Sequence, residues 1–149
     1  MCASAQNWFV RQILCIVMLF CAACSNSSSN DDTFGGAEIS GTITAPATIT
    51  NRCYLIKLDT DSDTTNGQTR LDSGMITGTT FNYRFTNISA GSYYLSAFVD
   101  LDSDCTAIHE SGDYFGWHGS NNTNAPTSGT VTLENGLQYD YDVTLYTVP

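Results

Sequence analysis

Hydrophobic residues follow two different rules along this chain. From Ile13 to Ala23 they run without a break, whereas beyond Ala37 they alternate with polar residues at a period of two. Phe81, Tyr83 and Phe85 alternate with Asn82, Arg84 and Thr86, and Tyr93, Leu95, Ala97 and Val99 alternate with Tyr94, Ser96, Phe98 and Asp100. Side chains at every second position share one face of a strand, so this pattern predicts half-buried strands. Similar runs span Glu38–Thr44, Cys53–Asp59, Thr130–Glu134 and Tyr139–Tyr146, with a shorter candidate at Met75–Thr77, and no stretch has helical spacing. Asn135-Gly136 suits a tight hairpin between the last two runs, and Ala90-Gly91 a turn before Tyr93. The fold class expected is all-β: a single antiparallel β-sandwich of about seven strands over Ala37–Pro149, within the common domain size of about 100–150 residues.

The unbroken run has a different meaning. Ile13–Ala23 falls short of the roughly 20 apolar residues that cross a bilayer. It follows Arg11 and ends on Ala22-Ala23 before Cys24. A basic start, an apolar centre and small residues at a cut describe an export leader, and a cysteine just after the cut resembles the lipobox of a bacterial lipoprotein. Cys21 occupies a position where lipoboxes usually carry Leu, and cleavage near Ala23 without lipidation is the competing outcome. The expected organisation is a signal peptide over 1–23, lipidated Cys24 with a flexible tether over 24–36, and the β-sandwich domain over 37–149. Ser, Asn, Asp and Gly dominate the tether, which leaves too little apolar surface to offset its ordering entropy. Export to the cell envelope follows. Ser25 lacks the Asp that commonly retains lipoproteins at the inner membrane, which favours the outer membrane in a Gram-negative cell.

Charge and cysteine usage narrow the picture. The net charge is −10, and losing the leader removes one base and no acid. Nucleic-acid binding needs the opposite sign, since Lys and Arg make the phosphate contacts. Cys2, Cys15 and Cys21 depart with the leader and Cys24 takes lipid, which leaves Cys53 and Cys105 in an oxidising compartment. A disulfide between them is expected; two free buried thiols are the alternative.

The strongest chemical cluster follows the core strand. Asp100, Asp102 and Asp104 alternate in sequence, with Glu110 and Asp113 close behind. Calcium takes six to eight hard oxygen ligands, so this set is a candidate calcium site, against the alternative of a solvated acidic loop pinned by Cys105. It is not an EF-hand, because Cys105 and Ser111 stand where that loop needs Gly and Glu. A second triplet, Asp59, Asp61 and Asp63, leads into a polar stretch that reads as a long hairpin loop. Farther on, Tyr114, Phe115 and Trp117 are expected in a loop between glycines. They offer rings for stacking on a glycan or anchoring a protein, or else they fold back to cap the sandwich. His109 and His118 have no metal-ligand spacing.

Catalysis has little in its favour. The sequence holds no Gly-x-Ser-x-Gly, His-Glu-x-x-His or phosphate-loop motif, and so small a domain has no cleft-forming insertion. A non-catalytic role is expected.

Three segments carry a family resemblance. Ile39-Ser40-Gly41-Thr42-Ile43, the central run Ile88-Ser89-Ala90-Gly91-Ser92-Tyr93-Tyr94-Leu95-Ser96-Ala97-Phe98-Val99-Asp100, and Tyr139-Asp140-Tyr141-Asp142-Val143-Thr144-Leu145 resemble the carboxypeptidase regulatory-like, or prealbumin-like, group of β-sandwich modules. The resemblance implies a non-catalytic spacer, stabilising or binding module; the partners expected are the membrane, through the lipid, and an envelope protein or a glycan. The Tyr-Arg-Gly-Ser ending of the group's hydroxyisourate hydrolase branch is missing here, so that activity is not implied.

Overall fold

The computed structural model describes residues 35–102, 105 and 110–149. The runs Glu38–Thr44 and Cys53–Asp59 turn out to be the two ends of one long strand, β1 (Ala37–Asp59). Met75–Thr77 and Phe81–Phe85 likewise lie in β2 (Arg70–Ile88). These two strands form an antiparallel ribbon whose register shifts between Thr44 and Arg52. There Asn51 and Gly78 both take positive φ, 51° and 125°, a conformation for which Gly and Asn carry the least strain. The shift divides the ribbon into two halves.

Each half recruits different neighbours. The first half of β1 pairs in parallel with β6 (Gln138–Asp140) and β7 (Val143–Thr144). The second half pairs with β3 (Gly91–Val99), which is followed outward by β4 (Tyr114–Trp117) and β8 (Tyr146–Thr147). The short β5 (Val131–Leu133) pairs with the start of β3. The fold is therefore all-β and mainly antiparallel, as its alternation predicts, with eight strands joined into one sheet that does not close.

One core serves both halves. Ile39 and Ile43 of the first half are buried with Ile56 and Leu58 of the second, together with Tyr83, Phe85, Leu95, Val99, Val131, Val143 and Leu145. The Tyr83 hydroxyl donates to the Tyr141 carbonyl at 2.7 Å. Burial, reinforced by Asp140 and Asp142, raises the pKa of this phenol, because a dry and acidic setting disfavours its anion.

Two expectations about turns and loops change. Asn135-Gly136 does not close a hairpin, since β5 pairs with β3 while β6 pairs with β1. The turn passes the chain between partners: Asn135 Oδ1 accepts from the Ala90 amide at 2.9 Å, and the Gly136 amide donates to the Gly35 carbonyl at 3.0 Å. The Tyr114–Trp117 segment is a strand, β4, rather than a loop. Its Gly116 packs against the backbone of Thr144, where an added Cβ would collide with the carbonyl.

Candidate functional site

Pairing register places Leu71, Ser73 and Met75 of β2, Cys53, Leu55, Lys57 and Asp59 of β1, Tyr94, Ser96 and Phe98 of β3, and Phe115 and Trp117 of β4 on one face of the sheet, opposite the main core. Phe98, Phe115 and Trp117 form a second buried cluster there, flanked by Leu55, Tyr94 and Val148. The Phe115 and Trp117 rings meet edge to face, with centroids 5.3 Å apart, a favoured aromatic geometry. Trp117 is 5 % exposed, and its Nε1–H donates to the Thr123 carbonyl at 3.3 Å. Phe115 and Trp117 are thus packing residues in this structure, and Tyr114 is half-buried. The three rings do not form an open stacking platform.

The loop after β3 is organised by its own acids. Asp100 is 2 % exposed and Asp113 5 %. Asp100 Oδ1 accepts from the Asp102 amide at 2.9 Å, and Oδ2 accepts from the Cys105 amide at 2.6 Å. Asp113 does the same from the other end, accepting from Leu101 at 2.9 Å and from Glu110 at 3.0 Å. Charge-assisted bonds of this kind are short and strong, and they satisfy backbone donors that a loop otherwise leaves to water. Cys53 and Cys105 form the expected disulfide, tying β1 to this loop across 52 residues of sequence. The Asp100 amide also donates to the Cys53 carbonyl at 3.0 Å.

Of the candidate calcium ligands, the fold brings Asp100 and Asp113 together as buried backbone caps and leaves Asp102 and Glu110 exposed. Asp104, like His109 and lipidation candidate Cys24, lies outside the described residues. Among the described residues no group of three His, Cys, Asp or Glu is arranged to hold a metal ion. His118 turns its Nδ1 to the Asp142 carbonyl at 2.7 Å and packs edge to face on Tyr141.

The second triplet contains a feature that the sequence reading missed. Lys57 and Asp59 point to the same face of β1 and pair at 3.0 Å, both largely buried. The Lys57 ammonium also donates to the carbonyls of Asp63 at 2.8 Å and Asn66 at 3.3 Å. The ammonium thus holds an ion pair with Asp59 and two hydrogen bonds to loop carbonyls, which fastens the 60–69 loop over the sheet. The available signal was a Lys-x-Asp pair in the otherwise apolar run Leu55–Asp59 that ends β1. Farther along, Asp61 Oδ1 accepts from the Asp63 amide at 2.9 Å, and Asp63 Oδ1 accepts from the Thr65 amide and hydroxyl at 2.8 and 2.7 Å. Those Thr65 bonds lower the Asp63 pKa.

Beside the disulfide lies a groove of about 370 Å³, lined by Cys53, Leu55, Ser73, Met75, Phe98 and Cys105 among others. It spans three strands that are distant in sequence, so no local motif announces it. Comparison with known proteins finds no family model, curated protein or solved structure that matches this chain.

Proposed function

We propose that this chain is a lipid-anchored protein of the bacterial cell envelope whose β-sandwich module is non-catalytic and has a structural or protein-binding role. The observation that carries the module's part of this reading is the use of its reactive-looking side chains. Asp100 and Asp113 are committed to backbone amides, Lys57 and Asp59 to each other, and Phe115 and Trp117 to a buried cluster. The anchor rests on the leader that ends at Cys24. Diacylglycerol with a further acyl chain would hold the protein at a membrane stably, since two or more chains anchor where one does not.

The resemblance to carboxypeptidase regulatory-like modules supports the same role. Calcium stiffening of the acidic loop is an added proposal, supported by the spacing of Asp100, Asp102 and Asp104. It requires a melting temperature that rises in millimolar calcium relative to chelator, and that stops responding in Asp102→Asn. The carbohydrate-binding reading requires Trp117 to reach a ligand, and its burial at 5 % exposure counts against that.

Metabolic labelling with a fatty acid tests the anchor. The native chain should take up label and Cys24→Ala should not. Label that persists in the variant would sink the assignment.

A further inference from the structure

We propose that two copies of this chain pair through the free edge of β2, with Leu71–Met75 of one copy running antiparallel to the same segment of the other. The proposal concerns the sheet alone and does not depend on the lipid anchor.

Hydrogen-bond parity identifies which groups are on offer. The Asp100 amide donates to the Cys53 carbonyl, and the His118 amide to the Leu95 carbonyl. With the observed register, odd residues in this half of β1 therefore bond to β3, and even residues bond to β2. Arg70, Asp72 and Gly74 spend their amides and carbonyls on β1. Leu71, Ser73 and Met75 direct theirs to the free edge, because β2 is the terminal strand of the sheet and pairs with β1 alone among the described residues.

Natural edges are usually blunted by shortness, lysine, proline or a bulge. The opposite edge, β8, is only two residues long. The far half of β2 begins at the Gly78 irregularity and carries Arg84. Leu71–Met75 has no lysine, proline or bulge, and its one charge, Asp72, accepts from the Tyr54 hydroxyl at 3.4 Å. Of the three large hydrophobic residues exposed among the described ones, Leu71 at 45 % and Met75 at 55 % flank Ser73.

The segment is complementary to itself, as a two-fold interface must be. With Ser73 opposite the partner's Ser73, each Leu71 stands opposite the partner's Met75, and each outward amide meets an outward carbonyl. Asp72 then faces the partner's Gly74, and Arg70 the partner's Ile76, so no like charges stand directly opposite, and the two Asp72 carboxylates are diagonal neighbours on the other face. That matters in a chain of net charge −10, most of whose surface would repel a second copy. An edge with apolar side chains on one face and a single acid, Asp72, on the other is where two such domains can meet. The apolar pairs would lie beside the groove lined by Leu55 and Phe98.

The test uses the full-length chain in mild detergent. Cα atoms in a hydrogen-bonded antiparallel pair are about 5.5 Å apart, so Ser73→Cys should join into a covalent dimer with a short thiol-to-thiol linker. Thr79→Cys, beyond the Gly78 irregularity, should stay monomeric. Adding Leu71→Lys and Met75→Lys to Ser73→Cys should reduce cross-linking at least tenfold while leaving the melting curve cooperative. Light scattering on the unsubstituted protein gives a readout that no variant can spoil: its mass should rise toward two copies through the micromolar range. A single-copy mass throughout would overturn the proposal, as would cross-linking that the two lysines leave intact.

Discussion

Two loops of this protein start from nearly the same sequence and are held in different ways. Asp59-Thr60-Asp61-Ser62-Asp63 leaves β1, and Asp100-Leu101-Asp102-Ser103-Asp104 leaves β3. In both, the first acid is buried, at 6 % and 2 % exposure. Asp59 faces an ammonium and accepts from the Thr60 amide at 2.7 Å, whereas Asp100 accepts from two amides of its own loop. The first loop is fastened to the sheet through Lys57, the second through the Cys53–Cys105 bond. In both loops alternate acids serve turn formation, because an Asp carboxylate accepts readily from the amide two residues on. Spacing alone does not distinguish a capped turn from a cation site; the neighbours of the first acid decide which anchor is used.

The largest effect should come from breaking the charged anchor. Asp59→Ala leaves Lys57 buried with two carbonyls and without its paired carboxylate, which should cost about 3–5 kcal/mol. Lys57→Met combined with Asp59→Leu should recover much of that loss, since it removes both charges together. Denaturant unfolding of the single and double variants measures the difference. A double variant no better than Asp59→Ala would mean that the bonds from Lys57 to the loop carbonyls dominate instead.

The covalent anchor should come next. Replacing Cys53 and Cys105 together by Ala releases a 52-residue separation and should cost about 2–4 kcal/mol, mainly through the greater freedom of the unfolded chain. The loss should appear in the 100–113 loop first, as faster amide exchange at Leu101 and Glu110. The amide of Thr65 in the other loop should keep its protection until global unfolding. Equal acceleration in both loops would show that the two anchors act as one unit.

Legibility in the sequence follows the same division between local and long-range causes. Tyr93–Val99 was readable because its odd residues meet the main core while Tyr94, Ser96 and Phe98 face the other side. The merging of two runs into β1 was not, because Pro46 and the polar residues around it interrupt the alternation while the backbone continues as a strand. β4 escaped for a related reason: Phe115, Gly116 and Trp117 are all buried, which erases the period of two. The disulfide was readable by elimination among six cysteines. The Lys57 anchor was hidden, since its carbonyl partners belong to a loop whose path no local pattern specifies.

Asp100→Asn separates the roles of charge and shape in the second loop. The amide keeps the volume but has one oxygen where Asp100 uses two, so the Asp102 or the Cys105 amide must lose its acceptor. A buried donor left unmatched costs about 1–3 kcal/mol. The disulfide should still form, which thiol titration under denaturing conditions would verify. A variant as stable as the native protein would assign the ordering of this loop to the covalent bond alone.

The smallest effect belongs to the exposed part of the first loop and is read through pH. Hydrogen bonds from Thr65, with the nearby Lys57 charge adding to them, lower the Asp63 pKa from its ordinary value of 3.8. A carboxyl that ionises more easily when folded contributes stability above its unfolded pKa and loses it as pH falls through the folded one. Native protein should therefore show a slight extra loss of stability on acidification below about pH 4, and Asp63→Ala should flatten that part of the profile. Solvent screens this exposed group, so the change should be small beside that of Asp59→Ala. Thr65→Val removes the hydroxyl but keeps the backbone donor, and should retain part of the slope. Melting temperatures measured from pH 2.5 to 6 would resolve the three proteins, and an unchanged slope in Asp63→Ala would show that this carboxyl does not contribute to the acid sensitivity.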